Sequence, residues 1–197
     1  GEGGVVALEL EFVQAAAEIA REIGALLVAD EVQVGMGRTG RFFAFEHLGV
    51  EPDLVTLAKG LANGLPVGAL LASDAAPDGL GPGDHGSTFG GNPVACAAAA
   101  AVVRAIDDDL LENVRARGDQ LAGGLAGLPG VVEVRGRGLL AGALLDRPAA
   151  DVVEACRERG LLVLSAGPDV LRLTPPLTIG RAEVDEALAV LAATLEA

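Results

Sequence analysis

Ala25-Leu26-Leu27-Val28-Ala29 runs without interruption into Asp30-Glu31-Val32-Gln33, and some twenty residues later Leu54-Val55-Thr56-Leu57-Ala58 runs into Lys59-Gly60. Each stretch is a continuous apolar run of strand length that stops at an ionisable residue. Runs of this kind predict buried parallel strands whose carboxyl ends share one edge of a sheet. Ligands of open α/β sheets bind at that edge. An acid and an amine are therefore delivered together to the place where such folds do their chemistry.

A lysine whose ammonium is desolvated becomes a nucleophile for carbonyl carbon, and a buried carboxylate needs a cation or several donors. Pyridoxal phosphate asks for both groups: an amine for its aldehyde and an acid for its ring nitrogen. Taken one at a time, the two residues have plainer roles, Asp30 as a cap for the following loop and Lys59 as a solvated strand end.

Around these runs the chain alternates helix and strand signals. Phe12, Ala16, Ile19, Ala20 and Ile23 recur at helical spacing between Leu8 and Ile23, and Gly24 stops that helix. Gly35 to Gly40 holds three glycines in six residues, a loop in which backbone approaches closely or turns. Phe42 to Leu48 predicts a short apolar-faced helix, Val67–Ala72 a further strand, and Ala75 to Asp84 a loop. Asn92-Pro93 opens an alanine-rich helix reaching about Ile106, whose small residues imply close packing. A helix from Asp108 to Leu125 follows, broken by Pro129-Gly130. Val131–Val134 and Leu139–Leu145 then predict strands around Arg135-Gly136-Arg137-Gly138. Ala149–Arg159 predicts a helix, Leu161–Leu164 and Val170–Leu173 strands, and Arg181–Leu195 a closing amphipathic helix. A large domain over 1–112 and a small α+β domain over 113–197 is the simplest division.

The order of the motifs resembles class III aminotransferases. Asp30-Glu31-Val32-Gln33, Gly35-Met36-Gly37-Arg38-Thr39-Gly40, Pro52-Asp53, Ala58-Lys59-Gly60 and Gly64-Leu65-Pro66-Val67-Gly68 look like that family's core signature. His85-Gly86-Ser87-Thr88-Phe89-Gly90-Gly91-Asn92-Pro93 is similar to the wording of its acetylornithine branch. Gly1-Glu2-Gly3-Gly4-Val5 and Val170-Leu171-Arg172-Leu173-Thr174-Pro175-Pro176-Leu177 fit the same family. The resemblance implies an α/β chain of the pyridoxal-phosphate fold type I: part of a large domain with a mostly parallel sheet, then the small α+β domain. It also implies a chain about half the family's length. The glycine-rich phosphate turn, the aromatic that stacks on the cofactor and the glutamate near the substrate arginine are all expected before Gly1.

The resemblance assigns roles residue by residue. Asp30 would meet the pyridine nitrogen and Gln33 the phenolic oxygen. Lys59, 29 residues beyond Asp30, would hold the aldehyde as a Schiff base and then shuttle a proton. Ser87 and Thr88 would serve the phosphate, Thr88 that of a neighbouring subunit, which makes the expected unit a homodimer. Arg172 would grip a substrate carboxylate with its planar fork. Three of these residues have ordinary readings as well. Gln33 could be a plain loop residue, Thr88 could bond its own backbone, and Arg172 could point to solvent from between Leu171 and Leu173. Glu31 and Val32 are left as structural residues, His47, His85, Arg135 and Arg137 as surface or loop residues, and Arg38 as a support for the glycine loop without chemistry of its own. The expected reaction is transamination of N-acetylornithine with 2-oxoglutarate in arginine biosynthesis. Its alternatives are an ornithine, γ-aminobutyrate or other ω-amine aminotransferase, or a non-catalytic C-terminal fragment of such an enzyme; without the segments expected before Gly1, this chain alone is expected to bind cofactor weakly and turn over little.

Composition narrows the setting. The 197 residues carry 14 basic and 28 acidic side chains, a net charge of −14, which disfavours nucleic-acid binding. No apolar run reaches membrane length, and a cytoplasmic protein without metal ligands is expected. Cys96 and Cys156 have no metal or redox spacing and predict reduced thiols.

Overall fold

A computed structural model describes residues 1–74, 76 and 81–196. Half of the predicted loop from Ala75 to Asp84, residues 75 and 77–80, lies outside these residues. The chain folds as two compact units, one formed by Leu8–Gly37 and Arg41–Asp107, the other by Gly1–Ala7, Arg38–Gly40 and everything from Asp108 on. The helix predicted from Asp108 to Leu125, α3 (Asp108–Ala126), belongs wholly to the latter unit, so the main division between the two units falls at 107/108. Leu121 and Leu125 of α3 are buried in the core shared with that unit's sheet and helices, which is why the helix goes with it.

The first unit opens with α1 (Leu10–Ile23), closed by Gly24 in the left-handed conformation at φ 69°. Its apolar stripe does not face the interior: Phe12, Ile19 and Ile23 are 62%, 56% and 73% exposed, and Ala17 is the buried position. Three strands follow, β1 (Val28–Asp30), β2 (Leu54–Leu57) and β3 (Ala69–Ala72), in the order β1-β2-β3. β1 runs parallel to β2 with Asp30 opposite Thr56, and β3 returns antiparallel. The expected two-sided burial of these strands is corrected. On β2 only Val55 and Leu57 are buried, and Val28 on β1 is half exposed, because the core covers one face. That core joins Met36, Val55, Leu57 and Leu61 to Phe42, Phe43, Phe45 and the inner side of α2 (Pro93–Ala105). α2 starts where Asn92 accepts the amide hydrogens of Val94 at 2.9 Å and Ala95 at 3.2 Å, with proline in the first turn.

The second unit is a four-stranded antiparallel sheet under three helices. Its strands are β4 (Val131–Arg137), β5 (Leu140–Leu145), β6 (Leu164–Ser165) and β7 (Val170–Leu173), ordered β4-β5-β7-β6. α3, α4 (Ala149–Glu158) and α5 (Arg181–Leu195) close one face over Ala141, Ala143, Leu145, Leu171 and Leu173. Arg135 to Arg137, expected between strands, continue β4, since each pairs with a residue of β5. The run Leu161–Leu164 yields strand only at its end, as β6.

On the other face of this sheet lies the segment Gly1–Ala7. Val5 is 4% exposed there, and a side-chain carbon on Gly142 would stand 2.8 Å from it. Glycine at 142 is what lets the segment lie flat on the sheet.

Candidate active site

Because β1 and β2 are parallel and in register, both carboxyl ends reach the same edge. Asp30 is the last residue of β1. Its Oδ1 accepts from the Thr56 hydroxyl at 3.1 Å and from the Val32 amide, also at 3.1 Å. Thr56 passed unremarked in the sequence, where a threonine inside an apolar strand looks like an ordinary β-former.

Glu31 turns the opposite way. It is 3% exposed and accepts from the amides of Ala44 at 2.8 Å and Phe45 at 2.9 Å, the first donors of the short 3-10 turn Ala44–His47. Burial pushes its carboxyl above the usual range, and the two amide bonds pull it back part of the way. Its structural reading stands, with a definite task of pinning the loop that carries Gln33 to the core. Gly35 belongs to the same device, since a side-chain carbon there would come 2.9 Å from the Glu31 carbonyl oxygen. Gln33 itself is half-buried in the turn after β1.

Lys59 stands two residues beyond β2, exposed, at the head of the 3-10 turn Lys59–Ala62. Its φ is 44°, the left-handed region. A non-glycine residue held there costs about 1–3 kcal/mol and persists only where the surroundings over-determine it. The buried Leu61 and Ala62 anchor the turn. Ser87 and Thr88 are exposed in the loop leading to α2, where the Ser87 carbonyl accepts from Gly90 at 3.3 Å. Asp30, Gln33, Lys59, Ser87 and Thr88 thus share the first unit. Arg172 belongs to the second.

In that second unit Arg172 sits on β7 opposite Gly142 of β5, while Leu171 and Leu173 enter the helix-covered core. The expectation that it faces away from its neighbours holds, but it does not reach solvent. Its side chain is 9% exposed, Nη1 donates to Glu2 Oε1 at 2.7 Å, and Nε is buried without a partner. The acidic neighbour of this arginine was expected before Gly1. The structure supplies one within the chain, Glu2, carried over by the segment Gly1–Ala7. A separation of 170 residues hid the pair from any reading of local pattern.

Arg38 also has more to do than expected. Its Nη1 donates to the carbonyls of Leu139 at 3.0 Å and Pro175 at 2.5 Å, so it ties down the turn that follows β7. Burial draws its guanidinium below its usual value. Arg135 is a surface charge, paired with Glu133 at 2.6 Å.

The family model for class III aminotransferases matches residues 1–195. The chain belongs to that family. Acetylornithine aminotransferase of Gloeobacter violaceus is 54% identical over 97% of the chain, an alignment that takes in 49% of that protein. The N-acetylornithine aminotransferase structure from Stenotrophomonas maltophilia superposes with a TM-score of 0.88 at 39% identity, covering 100% of this chain and 54% of its own. An ornithine aminotransferase from Toxoplasma gondii, crystallised with oxidised glutathione and holding pyridoxal phosphate at partial occupancy in its active site, gives a TM-score of 0.90 at 37% identity, with 99% of this chain and 49% of that one covered. The chain spans about half the length of the relatives it matches. The family is pyridoxal-phosphate-dependent, and its structures carry the type I fold expected here. The residues present suit the ring end of that cofactor, with a carboxylate on one strand tip and an amine just past the next. Among the described residues no cluster of metal-binding side chains occurs, and no helix is long and apolar enough to cross a membrane. Cys96 and Cys156 are both free thiols.

Proposed function

We propose that this chain serves a pyridoxal-phosphate-dependent transamination, N-acetylornithine and 2-oxoglutarate giving N-acetylglutamate semialdehyde and glutamate, a step of arginine biosynthesis. The observation that carries the reading is the pairing of Asp30 with Thr56 at the tips of two parallel strands, with Lys59 in a left-handed backbone immediately beyond. When bound, the cofactor supplies an electron sink for the carbon that bears the amine.

The chain's own residues have distinct tasks in this scheme. Asp30 meets the ring nitrogen and Gln33 the phenolic oxygen. Lys59 Nζ binds the cofactor and, once released by substrate, lifts and returns the proton at the amine-bearing carbon. Ser87 and Thr88 offer hydroxyls and backbone donors to phosphate, Thr88 to that of a partner subunit, so the working unit is a homodimer, in the cytoplasm. Arg172 takes a substrate carboxylate on its vacant Nε edge, and Glu2 on Nη1 balances its charge until that carboxylate arrives. In domain terms, Leu8–Gly37 and Arg41–Asp107 belong to the later part of the large cofactor domain, and the unit that takes in everything from Asp108 on is the small domain.

Ornithine is the second candidate donor, favoured by the likeness to the Toxoplasma gondii ornithine aminotransferase. The test is a titration of the purified chain with pyridoxal phosphate, followed by borohydride and peptide mass mapping. A visible band and capture on Lys59 are expected, with turnover of N-acetylornithine above ornithine and γ-aminobutyrate. Capture spread over surface amines, Lys59 untouched, would refute the reading; preference for ornithine would move the chain to the second donor.

A further inference from the structure

We propose that Thr56 is a positioning residue for Asp30, fixing the plane in which its carboxylate faces the cofactor ring; this rests on the proposed function above. Thr56 is the register partner of Asp30, and its hydroxyl donates to Oδ1 at 3.1 Å. The Val32 amide donates to the same oxygen. Neither bond engages Oδ2. Two donors on one oxygen, one from β2 and one from the turn after β1, define the carboxylate plane and leave the other oxygen directed by them.

Both donors are themselves held. Thr56 lies between Val55 and Leu57, which are 7% and 6% exposed and lock β2 into the core. A β-branched side chain in a strand has a stiff χ1, so the backbone aims the hydroxyl. Val32 follows Glu31, whose two amide bonds to Ala44 and Phe45 keep that turn in place. Asp30 is exposed, and in the absence of these contacts its short side chain would sample several rotamers. Thr56 thereby converts a mobile surface acid into an oriented one. Orientation of this kind has value only if something is to be met by Oδ2, and a protonated ring nitrogen is the group the site is built to meet.

The experiment compares pyridoxal phosphate affinity, by calorimetric titration, for the wild-type chain, Thr56→Val, Thr56→Ser, Asp30→Ala and the double variant Asp30→Ala/Thr56→Val. Thr56→Val should bind about tenfold more weakly, the loss of one hydrogen bond to a charged group, while Thr56→Ser stays within about twofold because the hydroxyl remains. The double variant should match Asp30→Ala, since Thr56 acts through Asp30. With a cofactor analogue whose ring nitrogen is replaced by carbon, wild type and Thr56→Val should bind alike. A merely structural threonine would instead weaken both cofactors equally and add to the Asp30→Ala loss, and either result overturns the proposal. Uptake by wild type matched by Thr56→Val overturns it alone. Failure of wild type to take up any cofactor overturns the proposed function and this inference with it.

Discussion

Replacing Glu2 by glutamine removes the only charge paired with Arg172 among the described contacts, and the outcome can be worked from the two ends of the guanidinium. Nη1 is engaged by Glu2 at 2.7 Å, and Nε is buried with no partner. An unsatisfied buried donor costs about 1–3 kcal/mol, which an incoming carboxylate on the Nε edge recovers. Against this stands the competition from Glu2. The Glu2 side chain is 75% exposed while that of Arg172 is 9% exposed, so solvent screens the pair, and its worth is near that of a surface ion pair, about 0.5–1 kcal/mol. Removing that competition should tighten a dicarboxylate by about two- to fivefold. Arg172→Ala deletes both edges and should weaken it by at least about thirtyfold. The assay is calorimetric titration with glutarate, a dicarboxylate that cannot transaminate. Unchanged or weaker binding to Glu2→Gln would refute the role given to Glu2, and full binding to Arg172→Ala would refute the carboxylate seat itself.

Lys59→Ala should abolish the visible band and the borohydride capture while leaving the far-ultraviolet circular dichroism unchanged, because the side chain is exposed. The Glu31 carboxyl has a folded value above its ordinary 4.5, so its stabilising contribution is whole below that pH and is lost as pH rises through the folded value. Urea denaturation of wild type across that window should therefore lose stability relative to Glu31→Gln, and parallel curves would contradict it. Gly118→Ala would put a carbon 2.5 Å from the Gly138 carbonyl oxygen, on backbone that cannot yield, and should cost about 2 kcal/mol, or about 4–8 °C in Tm. Gly123→Ala, on the same helix with nothing within 4 Å, should instead stabilise by about 0.4–1 kcal/mol.

The strand tips were legible because an apolar run ending on an ionisable residue says where a strand stops and what it presents there. Helix ends were equally plain, since Asn92 and Gly24 carry the capping chemistry in their own side chain or lack of one. What could not be read was the cover. The stripe Phe12-Ile19-Ile23 and the run through Val28 show a capacity for burial, but only the three-dimensional arrangement says which face is dressed, and here these residues stay exposed. Arg135-Gly136-Arg137 looked like a turn because charge and glycine suit one; pairing with β5 decided otherwise. Glu2 and Thr56 were missed for a common reason. Each acts on a residue far off in the chain, at separations of 170 and 26, and neither has a local pattern that announces a partner.

The threading of the backbone bears on how this molecule can be taken apart. Residues 1–7 and 38–40 lodge in the unit that otherwise begins at Asp108. A gene split at 107/108 would therefore give a C-terminal product stripped of Glu2, Val5 and Arg38, with its arginine unescorted, one side of its sheet bare and the turn after β7 unmoored. Complementation between two expressed halves would succeed only if the first half threaded both short pieces back into the second.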